Sequence, residues 1–535
     1  MVALSSSHQV LPISWAQYRP MHVSFPPAWQ AVAAWLFFFT PSLLPGVSGW
    51  SVWHLVLSAL CFWPLLRLRA LQPLVLALWT VLGCINIVHA SFFGALADEF
   101  FLATVLRTTP AETMEFLPTV PRAAWLGLAL WLPLCALAAR VLWRTLPQVW
   151  NTSLLLRRMW QGAWLFWALV LVYTLLQQLN PNTFMRKAKS LYPLHAVRAV
   201  MRQQEIQEGL FQPPVLPSAP PDASAQVDTV VVVLGESASA HRWSLLGYQG
   251  AATNAPLAQL PGVLATTALA QGWNTAAALP YMLTGMSALE SSQRRAPSFI
   301  DLAQHAGYKT FAFSNSRFFS AAEDFFSLAL RRASAVYQKV GNGDLDEVLT
   351  DSLRSALADP APRKLIVLHT YGSHPLPQER TPLGYRALHE PYDNSIHYSS
   401  ELLAQWVELL RDAHPESSAL LLYTSDHGVL FPPCAEDYRH GAALSSLEVP
   451  LLAWANPPAQ QQHGALLAAF TPAANASGSP AHAHSNALLA ELAMRAVGYG
   501  AWLQQPDWPS SQQPGWEGRS WAQLRQGDAC TLQAP

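Results

Sequence analysis

The chain has 535 residues, too many for one hydrophobic core of ordinary size, and 51% of them are apolar against 12% charged. That balance excludes a wholly soluble protein. A net charge of −1 and the absence of any basic run give a nucleic-acid partner no footing.

The apolar excess lies in the first third. Five stretches, near 28–46, 51–68, 72–91, 123–143 and 159–178, approach the roughly 20 residues that cross a bilayer. Pro41, Pro45 and Pro64 interrupt the first two and blur their ends. The first begins too late, and runs too directly into further spans, to be a cleaved signal peptide. Arg67 and Arg69 sit between the second and third stretches, and Arg140, Arg144, Arg157 and Arg158 between the fourth and fifth. Those loops are expected inside the cell. The loop from about 92 to 122 carries Asp98, Glu99, Glu112 and Glu115 against two arginines and is expected outside. The reading is a five-helix transmembrane domain over 1–180, multi-pass in a bacterial inner membrane, with all that follows in the periplasm. One helix would suffice as an anchor, so five suggest a task such as gripping a lipid. Arg186, Lys187, Lys189, Arg198 and Arg202 follow the last stretch and can lie along anionic headgroups.

Residues 181–226 form a juxtamembrane segment ending in a linker, QPPVLPSAPPDASAQ, rich in proline, serine and alanine. The soluble domain is expected over 227–500, with a Trp-, Gln- and Pro-rich tail over 501–535. Strand-like runs at 230–234, 309–313, 364–369, 419–424 and 449–454 alternate with helical patterns at 298–306, 345–357 and 399–410. That alternation predicts an α/β domain with a mostly parallel central sheet covered by helices. Of five cysteines, Cys61, Cys84 and Cys135 lie in apolar segments and read as small hydrophobes. Cys434 and Cys530 lie in the soluble part, where they either pair or remain thiols.

Three apolar runs end in residues that bind metal or move protons. The first runs from Val230 to Leu234 and into Gly235-Glu236, the second from Leu365 to Leu368 and into His369 and Gly372-Ser373-His374. The third runs from Leu420 to Tyr423 and into Ser425-Asp426-His427-Gly428. Ligands of open α/β sheets bind beyond the carboxyl ends of the strands, so these residues are expected at one rim. Glu236 reads as a ligand or as a neighbour of a helix cap formed by Ser237 or Ser239. Asp426 and His427 read as metal ligands, with Gly428 permitting the turn that lets adjacent residues face one ion. His374 and His440 are loop histidines that can bind metal, donate to a phosphate oxygen or protonate a leaving group. Thr275, set among small residues, is either an activated alcohol or a helix cap.

The ordered motifs resemble those of the bacterial phosphoethanolamine transferases, in the alkaline phosphatase and sulfatase superfamily. The resemblance covers nearly the whole chain. It rests on Gly235-Glu236 followed by Leu245-Leu246-Gly247-Tyr248, on Thr275 five residues before Pro280, and on Gly307-Tyr308-Lys309-Thr310 with Ser314-Asn315. It rests further on Gly372-Ser373-His374, Tyr392-Asp393-Asn394-Ser395-Ile396, Ser425-Asp426-His427-Gly428, and His440-Gly441 before Val449-Pro450. It implies five N-terminal spans and a periplasmic sulfatase-like domain. Glu236, Thr275, Asp426 and His427 would hold a catalytic zinc, one ion or two in all, in preference to manganese. Thr275 would be the phosphorylated nucleophile. His374 and His440 would hold the phosphoryl group or a second zinc and serve as acid and base. Thr108 and Glu112 match a pair that holds the phosphoethanolamine headgroup, while Thr104 stands where the family often has Asn. The donor would be phosphatidylethanolamine, and the acceptor lipid A, lipopolysaccharide core or another envelope glycan.

The chain departs from the family at Gln271 and Tyr281, where cysteines often flank the nucleophile, and at Trp273 and Asn274 just before it. Val429-Leu430-Phe431-Pro432 replaces a stretch that often contains glutamate. The rival readings are a glycerophosphate transferase or sulfatase-like hydrolase of the same superfamily, and an inactive envelope protein that binds lipid. A type I sulfatase needs a C/S-x-P-x-R stretch, which is absent around Thr275.

Overall fold

A computed structural model describes residues 26–44, 52–93, 117–176, 214–286, 296–315, 333–470 apart from three single positions, and 484–504, with a few shorter stretches. The N-terminal part is helical: α1 Pro27–Phe37, α2 Val52–Phe62, α3 Gln72–Phe93, α4 Arg122–Val149 and α5 Leu154–Leu176. The stretch expected to span from 28 to 46 is broken. Its α-helix stops at Phe37, and a 3-10 turn over Thr40–Leu43 carries Pro41. Pro64 likewise turns the end of α2 into a 3-10 segment, Trp63–Arg67. Among the described residues, Gln72–Ser91 and Arg122–Val149 are long and apolar enough to cross a membrane. Trp35, Phe38, Phe39, Trp79 and Trp131 pack a buried aromatic core between the helices. Leu74, Leu78, Leu126, Leu130, Leu165 and Leu169 point outward and are more than half exposed. Helices apolar on both the inner and the outer face suit a bilayer rather than water.

The second part is an α/β domain. Its strands are β1 Thr229–Gly235, β2 Val263–Leu269, β3 Lys309–Ser314, β4 Val336–Lys339, β5 Lys364–His369, β6 Ala419–Ser425 and β7 Glu448–Ala455. They form one sheet in the order β2-β7-β6-β1-β5-β3-β4. Pairings of β1 with β5 and β6, and of β3 with β4 and β5, are parallel; β7 is antiparallel to both of its neighbours. The sheet is thus mostly parallel, as expected, with one reversed strand. The valine run in β1 is buried on both faces: Val230 and Val232 enter one core, Val231 and Val233 the other. A strand covered by helices on both sides needs no polar alternation, which explains the unbroken apolar sequence.

Helices α6 Thr275–Thr284, α7 Phe299–His305 and α10 Leu488–Ala496 lie against the first core, α8 Val348–Leu357 and α9 Pro391–Ala413 against the second. A reciprocal Ser298 and Asp301 capping box starts α7. Helix α9 starts at Pro391 rather than at 399, so the Tyr392–Ile396 motif forms its first turns. Cys434 is disulfide-bonded, whereas Cys61, Cys84 and Cys135 are free; Cys530 lies outside the described residues.

Candidate active site

The sheet register brings the carboxylates together. Gly235 of β1 pairs with Ser425 of β6, so the next residues, Glu236 and Asp426, leave the sheet side by side. Because β7 runs backwards, its first residue and the loop carrying His440 reach the same rim as the ends of β1, β5 and β6. At the far side of the sheet, β2 ends at Leu269 and leads to Thr275, the first residue of α6.

The turn after β1 is tightly held. Ser237 takes a left-handed φ of +58°, rare for a side-chain-bearing residue, and its N–H donates to Asp426 Oδ1 (3.1 Å). The Ser237 hydroxyl donates to Glu236 Oε1 (2.6 Å), and Tyr392 OH donates to the Ser237 carbonyl (2.6 Å). Gly372, at φ +49°, passes so close that a Cβ there would lie 2.4 Å from the Glu236 carbonyl oxygen. Asp346, fully buried, accepts from the N–H groups of Tyr371 (2.7 Å) and Gly372 (2.8 Å) and fixes that loop. Burial pushes its carboxyl upward in spite of those donors. Asn486 donates to the carbonyls of Ser425 (3.3 Å) and Asp426 (3.2 Å), while its N–H donates to Leu269 (2.8 Å). It thereby clips the end of β2 to the end of β6. Neither Asp346 nor Asn486 carries a sequence signal beyond an ordinary polar residue in a loop.

At the centre, three acceptor atoms face one another. Asp426 Oδ1 accepts from the His427 N–H (2.7 Å), but Oδ2 has no hydrogen bond. His427 Nδ1 lies 2.7 Å from the Gly428 carbonyl and must donate there, which leaves Nε2 with its lone pair. That Nε2 has no hydrogen bond either, and stands 3.4 Å from Glu236 Oε1 and 3.4 Å from Asp426 Oδ2. His440 completes the group: ligand atoms of Glu236, His427 and His440 all lie within 4.8 Å of one another. Burial and the neighbouring Asp426 carboxylate hold the Glu236 carboxyl well above the ordinary range. Burial, with His427 adding to it, pushes His440 down to about 3, so its ring is neutral.

Lone pairs converging in a dry site repel unless a cation sits among them. Zinc takes carboxylate oxygen and neutral imidazole at about 2.0–2.1 Å, and a tetrahedron of such bonds has edges near ~3.4 Å. The 3.4 Å separations of His427 Nε2 from both carboxylates match that edge, so the donor set fits zinc.

Thr275 donates its hydroxyl to Glu236 Oε2 (3.0 Å). It is the first residue of α6 rather than its cap. Asn274 caps the helix, its side-chain oxygen accepting from the Ala277 N–H (2.9 Å). Asn274 thus relieves the threonine of a structural duty. Gln271 donates to the Met286 carbonyl (2.9 Å) and ties the loop to the end of the helix that follows. Replacing Asn274 by alanine is expected to cost about 1 kcal/mol of stability through the lost cap, and to slow turnover several-fold as Thr275 loses its bearing. Chemical denaturation and steady-state rates of the variant check both.

His374 packs on Tyr371 (4.6 Å between ring centroids) and meets His440 edge-on at 5.9 Å; His440 in turn meets His427 at 4.8 Å. The two loop histidines therefore flank the carboxylate cluster. His369 stays within β5, 2.9 Å from the Ser314 hydroxyl and outside the cluster. Thr104, Thr108 and Glu112 lie outside the described residues.

Residues 228–483 match the family model described as Sulfatase. A putative transferase, YhbX of Escherichia coli K12, is 34% identical over 246 residues, 43% of this chain and 44% of that protein. The phosphoethanolamine transferase OpgE of the same strain is 30% identical over 225 residues, 40% of this chain and 42% of that protein. These alignments span less than half the length of the relatives. The solved membrane protein lipooligosaccharide phosphoethanolamine transferase A of Neisseria meningitidis covers 87% of this chain and 95% of its own, at 18% identity and a TM-score of 0.62. Fold and rim together define a sulfatase-type domain joined to a bundle of apolar helices. Within that class, several of the proteins it resembles, OpgE and the full-length Neisseria structure among them, are bacterial phosphoethanolamine transferases.

Proposed function

We propose that the protein transfers phosphoethanolamine from phosphatidylethanolamine to lipid A, lipopolysaccharide core or a related envelope glycan, through a phosphothreonine at Thr275. The observation that carries this reading is the Thr275 hydroxyl, freed by the Asn274 cap and bonded to Glu236 at the edge of the acceptor cluster. Glu236, Asp426, His427 and Thr275 would hold the zinc, with His440 beside them or on a second ion. Bound there, zinc supplies the Lewis-acid charge that lowers the pKa of the threonine alcohol and offsets charge on the phosphoryl oxygens.

The residues divide the remaining work. Asn274 and Glu236 aim the threonine oxygen, and the N-terminus of α6 turns its positive end toward the incoming phosphate. In the first half, the Thr275 hydroxyl releases its proton to solvent, its oxygen bonds to phosphorus, and the phosphorus–oxygen bond to diacylglycerol breaks. His374 or His440 gives the departing oxygen its proton. In the second half, an acceptor hydroxyl or phosphate attacks the phosphothreonine and gives its proton to the same histidine, the threonine–phosphorus bond breaks, and the threonine oxygen regains a proton from solvent. Thr108 and Glu112 are proposed to hold the ethanolamine headgroup.

The site is assigned to the periplasmic side of the inner membrane. The Lys and Arg distribution, the outward-facing leucines and the disulfide-bonded Cys434 support that placement. The proposed units remain a transmembrane domain over 1–180, a linker over 181–226, the catalytic domain over 227–500 and a tail over 501–535. The test incubates the full-length protein with phosphatidylethanolamine labelled in its headgroup and a lipopolysaccharide acceptor. Labelled phosphoethanolamine on the acceptor and an equal yield of diacylglycerol are expected. Transfer from phosphatidylglycerol instead would replace this reading with a glycerophosphate transferase.

A further inference from the structure

The helical part contains a cavity of about 520 Å³ that the catalytic reading leaves unused. Its walls come from the end of α1 and the turn after it, the last turns of α3 and the first half of α4, among them Phe37, Ile87, Ala90, Ala123, Trp131 and Leu134. Its polar atoms are already engaged. Thr40 donates its hydroxyl to Phe37 (2.7 Å), Ser91 donates to Val88 (2.7 Å), and the Trp131 indole donates to Thr80 (3.0 Å). A ligand there meets an apolar wall and small side chains, with those hydroxyls unavailable to it. The volume lies within the range of about 300–1,000 Å³ of small-molecule sites.

Depth and direction narrow the occupant. From Ala123 to Leu134 along α4 the cavity runs about 16 Å, close to half of a hydrocarbon core of about 30 Å. That is one leaflet. The end at Ser91 and Ala123 lies where α3 ends and α4 begins, on the side expected outside the cell. A molecule with a polar group on that side and a single-leaflet hydrocarbon tail fits the pair of features.

We propose that this cavity holds one fatty-acyl chain of the diacyl phospholipid donor, with its headgroup on the outer side of the bilayer. The inference rests on the donor reading given above. The size and greasiness of the cavity select the chain, and the side on which it ends, at Ser91 and Ala123, selects the lipid of the outer leaflet.

The test uses the full-length protein in nanodiscs containing phosphatidylethanolamine with a photoreactive group midway along one acyl chain. After irradiation, label is expected on peptides covering 37–44, 87–91 and 123–134, and is competed by unlabelled phosphatidylethanolamine. Label spread over outward residues such as Leu165 and Leu169, or capture on the three cavity peptides from an acyl-labelled acceptor instead, overturns the assignment. Two variants fill the cavity from opposite walls, Ala90→Trp and the more exposed Ala123→Trp. Each is expected to raise KM for a long-chain donor about tenfold while leaving kcat/KM for a dihexanoyl donor unchanged. Equal effects on both donors, or none on either from both variants, refute the acyl site. If no donor of any chain length gives up its headgroup, the transferase reading fails, and the photolabelling pattern still decides the cavity.

Discussion

Replacing Thr275 by alanine is expected to lower headgroup transfer by at least about 10³-fold, since the oxygen that would carry the phosphoryl group is gone. The fold is expected to survive. Thr275 is only partly buried, its hydroxyl makes one hydrogen bond, and the helix cap belongs to Asn274. Losing that bond costs about 1 kcal/mol or less. Thr275→Ser keeps the oxygen and is expected to stay within about tenfold of the parent rate. Single-turnover assays with labelled donor, read by mass spectrometry of the nucleophile peptide, separate the two variants. Loss of the adduct in the alanine protein with transfer intact would remove the covalent step from the mechanism.

Chelation is expected to abolish turnover and also to lower the melting temperature. Glu236, Asp426, His427 and His440 then face one another without a cation, and Glu236 answers by binding a proton. If zinc is present at about 1,000 times its dissociation constant it contributes about 4 kcal/mol, or roughly 10 °C for a domain of this size. The sign of the pH dependence follows from the raised Glu236 carboxyl. In the metal-free protein its contribution is fully present below the ordinary carboxylate pKa and is lost as pH rises through the raised value. Zinc needs the ionised carboxylate and competes with that proton, so the shift in melting temperature on adding zinc should grow from acidic toward neutral pH. A zinc-independent melting curve across that range, with full activity after chelation, would sink the metal site.

Several features could be read in one dimension because they depend on local composition. The outward leucines of α3 and α4 follow from long apolar runs. The strands β1, β5 and β6 follow from buried runs that needed no alternation, and Asp426-His427 from two ligand-type residues beside a glycine. Other features were illegible. Strand β2, at one edge, mixes threonine and alanine with only partial burial, and β4, at the other, is four residues of intermediate exposure. Neither carries the periodicity that marks a strand, because neighbours on one side only stabilise an edge. The reversed direction of β7 is invisible for the same reason that His440 looked like one loop histidine among 17. A partner far along the chain decides both.

The amino-acid order alone determined the division into an apolar helical part and an α/β part, and named the residue types able to hold a metal. Only the tertiary structure decided which of them share one space. Register between β1 and β6 set Glu236 beside Asp426, the backward run of β7 carried His440 to their rim, and the Asn274 cap turned the Thr275 hydroxyl toward Glu236. The physical reason is that distances of 3 to 5 Å between residues up to 204 positions apart are fixed by strand pairing and packing, which no local propensity encodes.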